Sequence, residues 1–408
     1  MAATPWLGAQ QRALIPRHVC VITETYPPEV NGVAFTLAHL VDGLSARGHA
    51  VSVVRPRQQA SDRPDCRGDP NVTLVPSLPF PWYKGIQAGI PAGGLLRRGW
   101  GRHRPDVVYV ATPGPLGWSA VRTARHLGIP VFSGFHTDFH SYSKYYGASW
   151  LRPVIVRYLR GFHNRTHGTL APSIDIRDRL QATGFKNVYV LDRGVDSQLF
   201  APERRCPELR YSWGVSDAEL VVLYVGRVAP EKNLRVAVAA YRAMQRFSDS
   251  VKFVIVGDGP FRATLQRESP ELIFCGVRTG DDLARHYASA DVFLFPSETE
   301  TFGNVTLEAM ASGLVVVAYD YAAARMHITN GETGVLVPCG ASQAFVDAAA
   351  DLTRAPRSLH KMRRQARAHA RAIDWPHVVE KFEALLIGGL GRSHTAPSAL
   401  MSRRGVAV

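Results

Sequence analysis

The stretch "VVLYVGRVAPEKNLRVAVAAYRAM", residues 221–244, decides the fold. An unbroken apolar run rich in β-branched residues ends at a glycine, passes through a short charged loop and enters the helix "LRVAVAAYRAM". A strand without polar alternation is buried on both faces, and a helix that follows at once is the crossover of a parallel sheet. The same unit recurs along the chain. Downstream the strand runs are "VKFVIVG" (251–257), "ELIFCG" (271–276), "DVFLFPS" (291–297), "LVVVAYD" (314–320) and "GVLVP" (334–338). Upstream, from His18 onward, they are "HVCVITET", "AVSVVRP", "VTLVPS", "VVYVAT", "PVFSGFHT", "GTLAPS" and "VYVLDRG". Between the two series lies the polar segment "DRGVDSQLFAPERR" (192–205), punctuated by Gly194 and Pro202. Two separate series predict an α/β chain of two Rossmann-like domains, 1–195 and 196–373, followed by a C-terminal helix over 374–388 and a disordered tail over 389–408.

The totals agree with that division. A chain of 408 residues exceeds what one core organises, and 46% apolar content permits two. The five cysteines, at 20, 66, 206, 275 and 339, have no paired spacing, which excludes a disulfide framework or a zinc site and points to a reducing cytoplasm. No run approaches the ~18 apolar residues of a spanning helix, and the N-terminus lacks the core of a signal peptide. Charge is uneven: residues 1–195 hold 23 Lys+Arg against 11 Asp+Glu, net +12, whereas 196–408 hold 25 against 23, net +2. The first half is expected to meet an acidic partner.

In an open parallel sheet ligands collect beyond the carboxyl ends of the strands. After "VVLYVG", Arg227 and Lys232 stand at a helix entrance, and lysine is scarce in this chain, so the pair reads as a diphosphate clamp. Gly259 lets backbone approach a ligand, and the main chain around Val277 can face a nucleotide base. The fourth loop, "SETETFGNVTLEAMASG" (297–313), sets Glu300 before a helix and Glu308 one turn inside it. Asn304 is the expected N-cap, and the amides around Phe302, Gly303, Asn304 and Val305 would face a phosphate. Carboxylates flanking a phosphate accept hydrogen bonds from hydroxyls. A diphosphate between two hydroxyl-bearing rings, a nucleotide sugar, fits this array.

"GRVAPEKN", "VGDGP", "PSETETFGNVTLEAMASG" and "RGVDSQLFAP" together resemble the retaining GT-B glycosyltransferases of family 4, whose E-x7-E signature falls on Glu300 and Glu308. The resemblance runs from about His18 to Leu386. It implies that Asn31 and Gly32, in "ETYPPEVNGVAFTLAHLVDGLSARGH", lie beside the donor, and that His136, in "GFHTDFHSYSKYYG", is the active-site histidine. "VATPGPLGWSAVRTARHLGIPV" is similar in the subgroup of bacterial GDP-mannose-dependent α-mannosyltransferases and sulfoquinovosyl-diacylglycerol synthase-like enzymes. Arg193 departs from the Asn that often precedes Gly-Val-Asp at the domain join.

The implied activity is metal-independent, retaining hexosyl transfer without a further cofactor. Glu300, Arg227, Lys232 and His136 are its catalytic group. The expected donor is GDP-mannose, with a UDP-sugar such as UDP-glucose or UDP-sulfoquinovose as the alternative, and the expected acceptor is a lipid or glycolipid. A GT-B nucleotide-sugar epimerase and a non-catalytic nucleotide-sugar-binding protein are the rival functions. The segments 80–104 and 150–165 mix arginines with aromatics, which suits an anionic membrane surface, so a peripheral enzyme on the inner face of the cytoplasmic membrane is expected.

Overall fold

The computed structural model describes residues 15–29, 31–58, 62, 71–79, 87–136, 152–248 and 250–388. The tail from 389, Asp138, and the parts of the aromatic-basic and histidine-bearing segments at 80–86 and 137–150 lie outside them.

The first half contributes β1 (His18–Ile22), β2 (Ala50–Pro56), β3 (Asn71–Val75), the short pair β4 (Ser77–Pro79) and β5 (Gln87–Gly89), β6 (Val107–Val110), β7 (Val131–Gly134), β8 (Gly168–Ala171) and β9 (Val188–Val190). The second contributes β10 (Val221–Val225), β11 (Lys252–Val256), β12 (Ile273–Gly276), β13 (Val292–Phe295), β14 (Val315–Tyr319) and β15 (Gly334–Val337). A seven-stranded sheet has the order β3-β2-β1-β6-β7-β8-β9, and a six-stranded sheet the order β12-β11-β10-β13-β14-β15. Pairings within both are parallel: Val21 lies between Val53 and Tyr109, and Leu223 between Val254 and Phe293. The antiparallel β4–β5 pair was not expected. In each large sheet the order reverses beside the first strand, between β1 and β6 and between β10 and β13, and the crevice at such a point receives ligands.

The central strands are apolar throughout because helices cover both faces; Val107 to Val110 and Val221 to Tyr224 are fully buried. On one face of the first sheet, Leu37, Leu40, Val41 and Leu44 of the helix Gly32–Ala46 pack with Trp375, Val378, Val379, Phe382 and Leu386 of the helix Trp375–Ile387. The C-terminal helix therefore returns to the first domain. Its approach depends on Gly43, where a Cβ would stand 2.4 Å from Val379 Cγ2. The pair Arg47–Glu383 and the contact of His49 Nε2 with Glu383 Oε1 at 3.2 Å fix the other end. The opposite face carries the helices Gly93–Arg102 and Pro115–His126, with Leu96, Trp100, Leu116, Val121 and Phe162 in one cluster.

The chain passes between domains at 192–196 and again at 373–375, and the two passages touch. Val195 N donates to Ile373 O at 3.0 Å and Val195 bridges to Asp374. Across the cleft, Asp175 Oδ2 accepts from Ala322 N at 3.0 Å and its other oxygen pairs with Arg325.

Candidate active site

At the end of β10 the phenol of Tyr224 donates to Arg227 O at 3.0 Å, fixing the loop that carries the basic pair. Arg227 pairs with Glu231, itself only 6% exposed, and Lys232 Nζ pairs with Glu300 Oε1. Glu300 also accepts from Ser297 Oγ at 2.8 Å. Both cations expected at the diphosphate are thus matched by carboxylates in the protein alone. The neighbouring Asn233 donates to Glu298 Oε1 at 3.0 Å, joining the β10 and β13 loops a second time.

The helix Asn304–Ala311 starts differently from expectation. Gly303, at φ 94°, is its N-cap, a left-handed conformation that favours glycine, and among the described residues no side chain caps the helix. Asn304 is the first helical residue, and its Oδ1 instead faces Arg193 Nη1 at 3.5 Å. Phe302 is buried beneath the loop, with its ring 5.9 Å from the Arg193 guanidinium carbon. Val305 is half-buried against the core. One turn further on, Glu308 Oε2 accepts from the phenol of Tyr287 at 2.9 Å, and desolvation pushes its carboxyl up to about 7 despite that bond. At the same end of the sheet, the Val277 side chain is 70% exposed beyond β12. Gly259 packs so tightly under the β10 loop that a Cβ would meet Val228 O at 2.3 Å.

From the first domain, Asn31 caps the helix Gly32–Ala46, its Oδ1 accepting from Val33 N at 3.0 Å and Ala34 N at 2.9 Å. Its Nδ2 donates to Thr25 Oγ1 at 2.7 Å, so the Asn31 side chain shapes the loop. The carbonyl of Gly32 accepts from Arg193 Nη1 at 3.4 Å. His136 follows β7, and its Nε2 lies 2.8 Å from the Tyr109 hydroxyl. Burial, and then the Arg193 charge, pull the His136 pKa down to about 3, so the imidazole is neutral at physiological pH. Among the described residues its buried Nδ1 has no partner, a position from which a neutral ring can exchange one hydrogen bond with a ligand hydroxyl.

The structure therefore gathers Arg227, Lys232, Glu300, Glu308 and the 302–305 turn at the carboxyl ends of β10 and β13. Arg193 links that turn to the glycine loop holding Asn31 and Gly32. Sequence reading missed Tyr109, Tyr287, Glu231 and Ser297, and noted Arg193 only as a departure. The Arg227–Glu231 spacing of four residues and the Ser297–Glu300 spacing of three were the local signals available for two of them. Among the described residues, no group of three or more His, Cys, Asp or Glu converges as a metal site would, and no helix is long and apolar enough to cross a membrane.

Two parallel Rossmann-like sheets facing across a cleft, with the polar constellation at their carboxyl ends, define a GT-B glycosyltransferase. The description "Glycosyltransferase Family 4" matches residues 30–199 and "Glycosyl transferases group 1" matches 219–355. The chain belongs to the family 4 glycosyltransferases and is a hexosyltransferase by that membership. It is 37% identical, over 89% of its length and 94% of the relative's, to a GDP-mannose-dependent alpha-mannosyltransferase of Mycobacterium tuberculosis. It is 31% identical to an alpha-monoglucosyldiacylglycerol synthase of Streptococcus pneumoniae, over 73% of this chain and 70% of that one. Among solved structures, the sucrose-phosphate synthase of Thermosynechococcus elongatus superposes with a TM-score of 0.72 at 19% identity, covering 90% of this chain and 98% of that chain, a likeness of fold.

Proposed function

We propose that the protein transfers mannose from GDP-mannose to a lipid or glycolipid acceptor with retention of anomeric configuration. The observation that supports this most is the 37% identity, nearly end to end, to a GDP-mannose-dependent alpha-mannosyltransferase. The site geometry is consistent with it. Glu308, braced by Tyr287, accepts from the ribose hydroxyls, and Glu300, braced by Lys232 and Ser297, accepts from the hydroxyls of the transferred sugar. The diphosphate lies over the 302–305 turn, within reach of Arg227 and Lys232.

As the glycosidic bond to phosphate breaks, charge develops on the departing GDP. Arg227, Lys232 and the helix amides stabilise it with no metal required, and one such donor typically contributes ~3 kcal/mol in a protected site. Neutral His136 orients the sugar through Nδ1. The departing phosphate accepts the acceptor hydroxyl's proton as the new bond forms on the same face.

The acceptor is drawn from a membrane surface. The helices Gly93–Arg102 and Arg152–His163 flank Pro115–His126, where Trp118 meets Tyr158 and Phe162. They expose Arg97, Arg98, Arg102, Arg157 and Arg160 together with Leu95, Val154 and Tyr158. Basic groups mixed with apolar ones suit an anionic leaflet.

Calorimetric titration with GDP and UDP tests the donor. Tight GDP binding with weak UDP binding is expected; the reverse preference would transfer the reading to a UDP-sugar.

A further inference from the structure

Arg193 is 6% exposed, and among the described residues no carboxylate pairs with its guanidinium. Its polar contacts among the described residues, Gly32 O at 3.4 Å and Asn304 Oδ1 at 3.5 Å, are both at the outer limit of a hydrogen bond. Its charge persists at neutral pH, burial drawing its pKa down only to about 10. A buried cation so poorly satisfied is costly, and evolution normally supplies it with an anion.

Its position says which anion. Gly32 opens one helix and Asn304 opens another, so two positive helix ends from two domains converge on one cation. Arg227 and Lys232 are already matched by Glu231 and Glu300, whereas this corner carries excess positive charge. Arg193 also lies in the first interdomain passage, two residues before the Val195 bridge to Asp374.

Resting on the donor reading above, we propose that Arg193 is a direct ligand of the donor's diphosphate, recruited from the hinge to bind the same group from both domains at once. The guanidinium fork takes a phosphate oxygen that faces both helix ends. Donor binding thereby neutralises the uncompensated corner and ties domain position to the presence of phosphate.

The test compares GDP with guanosine by calorimetry on wild type, Arg193→Met and Arg193→Lys, with melting temperatures measured without ligand. Arg193→Met is expected to weaken GDP binding roughly ten- to hundredfold, as loss of a charge-assisted contact does, and to leave guanosine binding unchanged. Its unliganded melting temperature is expected to equal or exceed wild type, because an unpaired buried cation has gone. Arg193→Lys, which keeps charge but loses the fork, falls between. An unchanged GDP-to-guanosine ratio in either variant overturns the proposal, and a lowered melting temperature alongside it marks Arg193 as a structural strut. If Arg193→Met does not fold, the Arg193→Lys ratio alone decides. The comparison uses UDP and uridine if wild type prefers them, so a wrong base does not masquerade as a failure of Arg193.

Discussion

The phenol of Tyr287 donates a 2.9 Å hydrogen bond to Glu308 Oε2, yet burial still holds that carboxyl near neutrality, at about 7. In the proposed donor pose ribose hydroxyls donate best to the ionised form of Glu308, so binding would draw the proton off. GDP-mannose affinity is expected to rise from pH 6 to pH 8, by up to about tenfold per unit below the pKa, and to level off above it. Glu308→Gln should flatten this profile and weaken binding by ~1.5–3 kcal/mol. Tyr287→Phe removes a bond that favours the carboxylate, so its midpoint should move to higher pH. Calorimetry across the range checks all three; a wild-type profile as flat as that of Glu308→Gln would count against the ribose contact.

Glu300 and Lys232 hold each other across the β10 and β13 loops, with Ser297 as the third member. Glu300→Ala is expected to lower kcat by about 10²–10³ while changing GDP affinity little, because its proposed partner is the sugar rather than the nucleotide. Lys232→Ala should weaken GDP itself. Steady-state kinetics with product-inhibition constants separate the two, and equal losses of GDP affinity would merge their roles.

Much of the fold was legible in the sequence, for a definite reason. The central strands β6, β10, β13 and β14 are unbroken apolar runs buried along their length, since helices cover both faces, and such runs need no partner to be recognised. The β4–β5 pair has three residues a side and leaves no such trace. Glu300 and Glu308 could be singled out because both sit at one strand-to-helix turn. The pairings Lys232–Glu300 and Tyr287–Glu308 could not, because the first spans 68 residues and the second 21, with Tyr287 on another helix. Asn304 looked like a cap by residue type, but the backbone needed positive φ one position earlier, where Gly303 stands. Arg193 was hardest: an arginine in a polar linker reads as solvated, and only the packing of both domains around it shows that it is buried.

Docking of the C-terminal helix makes a stability prediction. Gly43→Ala forces a Cβ into Val379, whose Cγ atoms would lie 2.4 and 2.9 Å away. Overpacking of this kind costs ~1–3 kcal/mol. Thermal denaturation should show a lowered transition, and Val379→Ala in the same chain should recover part of it. Additive losses in the double variant would show that the two residues do not meet.

The exposed arginines of the helix Gly93–Arg102 are expected to bind anionic vesicles. Arg104 lies beyond the end of this helix and donates to Gly128 O at 3.0 Å, so Arg97, Arg98 and Arg102 are the helix arginines to replace. Each contributes about 1 kcal/mol near such a surface, screened over a Debye length of ~10 Å at moderate salt. Co-sedimentation should fall with salt and in the triple variant while GDP affinity stays constant. Equal binding to neutral vesicles at low salt would return these arginines to an ordinary solvated face.

The most direct measurement of the central claim is transfer itself. The full chain is incubated with GDP-mannose labelled in the sugar, mixed glycolipid acceptors and EDTA, and label in the organic phase is followed beside released GDP. The expected result is α-linked mannose in lipid, one GDP released per mannose transferred, and loss of both in Glu300→Ala. GDP-mannose that is bound but neither transferred nor cleaved under any acceptor condition, or transfer from a UDP-sugar alone, would contradict it.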